Sequence, residues 1–269
     1  MDTPSLTPYE QRQLERLREW QAQPPGWLTR RFAQAAGPAS HLAQRLVPVS
    51  ALKFALNGAT TLAARLTSTE VVLRDAGVAA LAELQTAELS RCDALAERIR
   101  RQAVGLSAAG GALAGVAGAP GLVLDVPALL TLSLHTIQRT GLCYGYDSLD
   151  QTEQPYAIGV FALASANTLE EKRVALEALR RSDEPDESAF RDGLERAAQR
   201  ELSKSAAVFS LQNLARQLGL NLTRRKTASA VPLLGAVVGG AVNAWYLHDL
   251  AQTARYAFHA RRFAQQGFL

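Results

Sequence analysis

The chain has 269 residues, which is enough for one large helical domain or two small ones with a substantial buried core. Ala, Leu, Gln and Arg are plentiful and aromatic residues make up only 6%, a composition that favours helices, because these side chains lose little rotamer freedom there. The formal net charge is only +4, and basic and acidic residues are interspersed. This balance excludes a typical nucleic-acid-binding protein, so we expect no nucleic-acid partner.

The first predicted helix begins at a capping box. Thr7 is the cap, a proline takes the first helical position, and Glu10 follows three residues after the cap. The helix is expected to end near Gln23, because two prolines and a glycine come next. We therefore divide the chain into an N-terminal amphipathic helix, residues 1–26, and a helical domain, residues 27–269.

Four more helices are predicted between this first helix and the middle of the chain. Their boundaries follow from the spacing of apolar residues and from the glycines and prolines that interrupt it. They are expected at about residues 27–36, 49–66, 69–84 and 90–104.

The character of the chain changes after residue 104, since residues 102–124 carry no charge and are rich in glycine and alanine. Glycines three or four residues apart form one stripe on a helix, where a second backbone can approach closely. Pro120 and Gly121 are expected to interrupt this segment, and residues 122–144 to form one apolar helix. The stripe consists of Gly110, Gly111, Gly115 and Gly118.

The second half of the chain repeats this organisation. Capping boxes that begin at Asp150 and Thr168 predict helices that end near Ala166 and Ser182. A long amphipathic helix over about residues 187–218 and a basic connector over residues 221–227 follow.

A second glycine-rich apolar segment covers residues 228–247, with Gly235 and Gly239 four residues apart, and its helix is expected to continue to about Gln266. No run of alternating apolar and polar residues bounded by turns predicts a sheet. The sequence therefore predicts an all-α fold: a single multi-helix bundle around two central glycine- and alanine-rich helical segments.

Basic residues precede both glycine-rich segments, a pattern typical of docking to an anionic membrane surface. Each uncharged stretch is about as long as the roughly 20 residues that span a bilayer, but glycine and alanine contribute little hydrophobic transfer energy. A transmembrane pair, a core hairpin and a bundle that docks on lipid all stay open. The candidate membrane-facing residues are Arg98, Arg100, Arg101, Arg224, Arg225 and Lys226.

Two motifs resemble the EcsC protein family: Leu-Val-Leu-Asp-Val-Pro-Ala-Leu-Leu at residues 122–130 and Leu-Cys-Tyr-Gly-Tyr-Asp at residues 142–147. The later glycine-rich run at residues 232–243 and the Arg-Arg-Phe at residues 261–263 are similar too, so the resemblance covers about residues 20–263. It implies a mostly bacterial family, named after a neighbour of an ABC-type exporter gene, whose activity is unsettled. Some members carry a secreted-peptidase label, which this sequence does not support because it contains no HExxH motif and we expect no signal peptide.

Polar residues in apolar surroundings are the candidates for a site. Asp125 is either the N-cap of a helix after Pro127 or a buried carboxylate in a pocket, where His135 and Tyr144 would be catalytic partners. Tyr144 and Tyr146 either anchor the turn at Gly145 or line the mouth of a cavity. The ligand- or lipid-binding candidates are Asp125, Tyr144, Tyr146, Asn243, Tyr246 and His248.

A polar network is also expected near the end of the chain. Asn243, Tyr246 and Asp249 lie at three-residue steps on one helix face. Together with Arg255, Arg261 and Arg262, they are expected to form a network with Asp125 or Asp147, and we interpret it as a buried structural network.

The sequence does not establish a catalytic activity. Our leading hypothesis is a non-enzymatic lipid- or membrane-surface-binding protein at the cytoplasmic side, with a soluble protein-interaction or structural module and a hydrolase using Asp125 as alternatives. Cys92 and Cys143 form no CxxC motif, which is typical of a reducing cytoplasm. The expected partner is an anionic membrane, a lipid or another protein, and no cofactor or metal is expected.

Overall fold

The computed structural model of this chain describes only part of it, and every structural statement below refers to that part. The described residues are 6–25, 49–117, 119–147, 150, 153–166, 168–182 and 232–269, without the side chains of 49–57, 111–127, 182, 232–240 and 242. The predicted helices at residues 27–36 and 187–218 and the basic connector at residues 221–227 lie outside the described residues, as do Arg224, Arg225 and Lys226.

The described residues form nine helices and no strand, so the all-α prediction is confirmed. In chain order the helices are α1 Pro8–Ala22, α2 Val49–Leu66, α3 Thr69–Ala76, α4 Leu81–Thr86, α5 Leu89–Ala117, α6 Ala119–Cys143, α7 Gln154–Ala164, α8 Leu169–Ser182 and α9 Pro232–Gln265.

The predicted helix starts are confirmed where a side chain caps the backbone of the first turn. Thr7 and Glu10 form the predicted capping box of α1, in which Glu10 accepts from the Thr7 backbone N–H at 2.9 Å. Thr168 accepts from the Glu171 backbone N–H at 3.1 Å and so caps α8. The box predicted from Asp150 is wrong, because the residue before α7 is Glu153 and its side chain makes no capping bond.

Three predicted helix boundaries are also wrong. α3 ends at Ala76 instead of residue 84, because Gly77 adopts a left-handed conformation with φ 66° and closes the helix. α5 is one helix from Leu89 to Ala117 and does not break near residue 104. α6 begins at Ala119 and does not break at Pro120, since proline is tolerated in a first turn whose N–H groups lack helical partners.

The centre of the bundle consists of α5, α6 and α9, which pack against one another. α5 and α6 are antiparallel, because they pack on each other and Arg139, near the end of α6, donates to Gln102 in α5. α9 runs antiparallel to α5, because Asp93 meets His259 while Arg100, further along α5, meets the earlier residue His248. Around this centre, α2 and α3 pack on α6, α7 packs on α8 and α9, and α1 packs mainly on α9.

These directions bring three uncharged stretches to one end of the bundle. They are residues 102–117 of α5, 119–124 of α6 and 232–247 of α9, and we call this part of the molecule the uncharged end. The described parts of the two glycine-rich segments, residues 105–117 and 232–247, are thus helical and lie at the same end. Within the described part of the chain, no helix is long and apolar enough to cross a bilayer.

The predicted glycine stripe is wrong for Gly110. A Cβ atom added to Gly110 or to Gly105 would meet no atom of the described residues within 4 Å, so no backbone among them approaches either glycine. α5 turns these glycines towards solvent, and the side of the helix that contacts α9 is a different one. The surroundings of Gly111, Gly115, Gly118, Gly235 and Gly239 are outside the described residues.

Candidate functional site

The most densely bonded polar group described is the carboxylate of Asp93, which lies on α5 at the end opposite to the uncharged end. Its side chain is only 5% exposed. Five donor atoms from four residues surround it, and they come from α1, from the turn after α6 and from α9. Since each donor comes from a distant part of the sequence, the carboxylate joins helices that are not neighbours in the chain.

The two carboxylate oxygens of Asp93 divide these donors between them. Oδ1 accepts from the Tyr144 hydroxyl at 2.5 Å, from His259 Nε2 at 2.6 Å and from Arg255 Nε at 3.2 Å. Oδ2 accepts from the Tyr9 hydroxyl at 2.6 Å and from Arg255 Nη2 at 2.8 Å. Arg255 also donates to Gln13 on α1 at 3.2 Å. We call these six residues the Asp93 network.

Protonation states in the network follow from burial and from the surrounding donors. Burial alone would raise the pKa of Asp93, but the hydrogen bond from His259 and the charge of Arg255 outweigh it and hold this pKa well below its ordinary value. Burial, and then the charge of Asp93, raise the pKa of Tyr144 well above its ordinary value. Asp93 is therefore ionised near neutral pH, and Tyr144 remains a hydrogen-bond donor.

His259 is completely buried and is enclosed by the rings of Tyr144, Tyr256 and Phe263. Burial lowers the pKa of His259, although the hydrogen bond to Asp93 opposes this shift. Its Nδ1 atom has no hydrogen-bond partner among the described residues. A neutral ring with its proton on Nε2 leaves only an unpaired acceptor, whereas a charged ring would leave an unpaired N–H, so the geometry also favours the neutral form.

The Tyr-Gly-Tyr motif after α6 holds this network in place. Tyr144 and Tyr146 are buried, and Tyr146 donates to Gln265 at 2.8 Å. Gly145 between them has φ +83°, and a Cβ there would lie 2.5 Å from Gln85 Cγ and 2.7 Å from the Leu81 carbonyl oxygen. The two tyrosines therefore anchor the turn, which is the first of the two interpretations of this motif.

The last turns of α9 add further cross-helix bonds. Arg261 pairs with Glu153 and lies over the rings of Tyr146 and Tyr156, at 4.3 and 4.5 Å from their centroids. Arg262 donates to the Ala87 carbonyl at 2.5 Å, before the start of α5. The arginines near the end of the chain thus bond to other helices and turns, and the acid that Arg255 binds is Asp93 instead of Asp125 or Asp147. That Asn243, Tyr246 and Asp249 join them in one network stays a prediction.

α1 is attached to the bundle at both of its ends. Tyr9 and Gln13 join the Asp93 network near its start. At its other end, Lys172 of α8 donates to the carbonyls of Trp20 and Gln23 and lies 3.8 Å from the centroid of the Trp20 ring. Burial lowers the pKa of Lys172 to about 8. The N-terminal helix is therefore part of the buried polar structure.

A second feature is the solvent face of α5, which changes character along its length. Arg98 and Arg101 are exposed, and the exposed residues one and two turns further on are Gln102, Gly105, Leu106, Ala109 and Gly110. These positions are three or four residues apart and so form one stripe on the helix. The stripe is basic at first and then uncharged, and it carries no acidic residue.

Four arginines surround the start of this uncharged stripe. We call Arg98, Arg100, Arg101 and Arg139 the arginine cluster. Glu97 accepts from Arg100 at 2.5 Å and from Arg101 at 2.8 Å, and these bonds lower the pKa of Glu97 to about 2, so it is ionised. Arg100 also contacts His248 Nδ1 on α9, and Arg139 on α6 donates to Gln102 at 2.9 Å.

The residues predicted as catalytic partners are not brought together. α6 runs through Asp125 and Pro127, so Asp125 is not an N-cap, and its side chain lies outside the described residues. His135 Nδ1 contacts the Thr67 hydroxyl at 2.7 Å, while Tyr144 binds Asp93 and His248 contacts Arg100. The three candidate partners therefore lie in three different places, and the pairing of Asp125 with one of them stays a prediction.

The remaining ligand candidates lie in the interior of the bundle. Asn243 is 2% exposed. Tyr246 hydrogen-bonds with Ser133 of α6 and with Ser165, which follows α7, and burial raises its pKa to about 12. In the described part of the chain, no group of three His, Cys, Asp or Glu side chains is placed to hold a metal ion.

Sequence reasoning missed the centre of the site, Asp93, and its partners Tyr9 and His259. Asp93 lies in a polar amphipathic stretch, where an aspartate is ordinarily interpreted as a solvent-exposed residue. A signal was present, because Leu89, Cys92, Ala96 and Ile99 mark one apolar face and Asp93 follows Leu89 by four residues on that same face.

Comparison with known proteins gives the following matches. The sequence profile of the EcsC protein family matches residues 11–263. "Uncharacterized protein YdbA" of Bacillus subtilis (strain 168) is 28% identical over 188 residues, which cover 69% of this chain and 63% of that protein. The chain therefore spans less than two thirds of the length of this relative. No solved structure matches the chain. The family resemblance seen in the sequence is confirmed.

Proposed function

This chain belongs to the EcsC protein family, and we propose that it binds an anionic membrane surface through the uncharged end of its bundle, without crossing the bilayer. The observation that carries this proposal is the solvent face of α5, where Arg98 and Arg101 give way to Leu106 and small residues. Basic residues beside an exposed apolar stretch are typical of helices that lie at a membrane interface.

Exposed leucines support this proposal. Leu106 on α5 is 62% exposed, and Leu62 and Leu66 on α2 are 48% and 59% exposed. Burial of a leucine side chain contributes about 1.5–3 kcal/mol, and each arginine near an anionic surface contributes about 1 kcal/mol. A few such residues give reversible peripheral binding, which agrees with the lack of a membrane-spanning helix among the described residues.

The scarcity of exposed charge at this end is a second support. At the uncharged end, the residues of α5, α6 and α9 that are described as exposed are Gln102, Gly105, Leu106, Ala109, Gly110 and Ala241. Soluble proteins are typically designed with charged residues at about 25–35% of surface positions. An exposed surface without charges is more typical of an interaction site.

The Asp93 network favours a non-enzymatic role. Asp93, Tyr144 and His259 are each at most 5% exposed, and their polar groups are used to bond helices to one another. Cys92 and Cys143 are free and buried, which is consistent with a reducing compartment. We therefore place the binding surface at the cytoplasmic leaflet, where anionic lipids are enriched.

Vesicle flotation tests the proposal. The purified chain is expected to float with vesicles that contain phosphatidylglycerol, and less so as salt rises or when the vesicles contain only phosphatidylcholine. L106E places a carboxylate on the proposed surface and should abolish flotation. V174E is the matched control, because Val174 is also an exposed apolar residue, at 42%, but lies on α8.

Two results would contradict the proposal. If the unmodified chain stays at the bottom of the gradient with both kinds of vesicle, the exposed surface does not bind membranes, and a protein-interaction module becomes the better hypothesis. If V174E abolishes flotation as L106E does, binding does not depend on the uncharged end.

A further inference from the structure

The hydrogen-bond acceptors beside the arginine cluster are bonded to its arginines. The carboxylate of Glu97 accepts from Arg100 and Arg101. The side-chain oxygen of Gln102 accepts from Arg139, and Nδ1 of His248 accepts from Arg100. All three of these acceptor groups are therefore engaged by an arginine, and the bonds connect α5 with α6 on one side and with α9 on the other.

Several groups of the cluster that face solvent are donors. Arg98 is exposed and has no acidic partner in the described part of the chain. Because Nδ1 of the exposed His248 accepts, its proton lies on Nε2, and the amide nitrogen of the exposed Gln102 is likewise a donor. A surface that presents several donors and a net positive charge is complementary to a group with several anionic oxygens.

We infer that the arginine cluster binds the phosphomonoester headgroup of a phospholipid such as phosphatidic acid, an inference that rests on the membrane binding proposed above. A phosphomonoester has three terminal oxygens and up to two charges, whereas a phosphodiester headgroup has two such oxygens and one charge. Guanidinium groups bind such oxygens bidentately, so the larger number of acceptors matches the larger number of donors.

The position of Leu106 favours a lipid over free phosphate as the source of this group. Leu106 lies one turn beyond Gln102 on the same solvent face of α5. A headgroup phosphate held at the level of Arg98 and Arg101 places Leu106 at the level where acyl chains begin. A free phosphate ion would leave this exposed leucine without a role in binding.

Glu97 limits the affinity of the cluster in this arrangement, because it neutralises part of the charge of Arg100 and Arg101. E97Q releases both guanidinium groups, so it should tighten binding to phosphatidic acid vesicles by about fivefold. R98Q and R101Q should each weaken it by about fivefold. R173Q and R180Q are matched controls, since both arginines are exposed on α8.

The experiment compares the full chain on phosphatidylcholine vesicles that contain either phosphatidic acid or phosphatidylglycerol, adjusted to the same surface charge. We expect tighter binding to phosphatidic acid by about fivefold, and loss of this preference in R98Q and R101Q but not in R173Q and R180Q. Competition with glycerol 3-phosphate distinguishes a lipid headgroup from a free phosphate, and we expect it to displace little of the bound chain.

The possible results separate this inference from the proposed function. Equal binding to both vesicle types, still sensitive to L106E, overturns the phosphomonoester preference and leaves membrane binding intact. Displacement by low concentrations of glycerol 3-phosphate overturns the assignment to a lipid. Binding to neither vesicle type overturns both proposals.

Discussion

The antiparallel helices α5 and α9 are built in opposite ways at their two ends. At one end, Asp93 on α5 bonds Arg255 and His259 on α9, and every oxygen has directional partners. At the other end, residues 102–117 and 232–247 bring together two stretches without a single charge. The first end uses its polar groups inside the fold, whereas the second has small and apolar side chains and exposes some of them.

The difference shows how the register of the pair is specified. Contacts between small apolar side chains tolerate sliding of one helix along another, because they have little directionality. A carboxylate that must meet five donor atoms does not tolerate it, since a shift by one turn would leave a buried charge unpaired. The Asp93 network therefore fixes the register of α5 against α9. The residues of the uncharged end are not needed for this and can have a composition suited to binding.

Removal of the carboxylate should have the largest effect on stability. D93A leaves Arg255 as a partly buried charge without its partner and removes the acceptor of Tyr144, Tyr9 and His259. Loss of one member of a buried ion pair costs about 3–5 kcal/mol. Urea unfolding monitored by circular dichroism should show this loss in the free energy of unfolding.

E15A is the control for D93A, because Glu15 is an exposed acidic residue on α1. Its free energy of unfolding should change by no more than about 0.5 kcal/mol. A cost of D93A as small as that of E15A would show that the Asp93 network does not hold the helices together.

The turn that carries Tyr144 should be nearly as sensitive. In G145A, the new methyl group would lie within 2.7 Å of the backbone of Gln85 and Leu81, and the left-handed φ of +83° is unfavourable for alanine. The conformation costs about 1–2 kcal/mol and overpacking adds about 1–3 kcal/mol. G267A separates the two effects, since Gly267 has φ +81° but open space around it.

G267A should therefore lose only the conformational part, about 1–2 kcal/mol. Thermal unfolding of both variants in the same buffer measures the difference. If G145A and G267A are equally stable, the close packing of the turn on α4 contributes nothing.

Much of the fold could be predicted from the sequence, because the signals involved are local. The capping residues Thr7 and Thr168 placed the starts of α1 and α8, and the apolar pattern placed α2 at Val49–Leu66. The break predicted at Pro120 is wrong, because a proline in the first turn of a helix does not interrupt it. Gly77 was overlooked as a left-handed C-cap.

The site was harder to predict, because its residues are far apart in the sequence. Tyr9, Asp93 and His259 come together only through the packing of α1, α5 and α9. Tyr144 was recognised, but was paired with Asp125 instead of Asp93, since both carboxylates are compatible with a neighbouring tyrosine when only spacing is known. Contacts between residues this far apart in the sequence can be predicted only when the arrangement of the helices is known.

The smallest predicted change in stability concerns a glycine of the uncharged end. Its replacement by alanine should stabilise the fold, whereas the same replacement at Gly145 should destabilise it. A Cβ atom at Gly110 would meet nothing within 4 Å, and the residue lies inside α5. Glycine in an exposed helix interior costs about 1 kcal/mol relative to alanine, so G110A should stabilise the chain by up to about that amount. Thermal unfolding measures the gain. Destabilisation would instead mean that another part of the molecule packs on this face of α5, which the proposed membrane surface requires to be free.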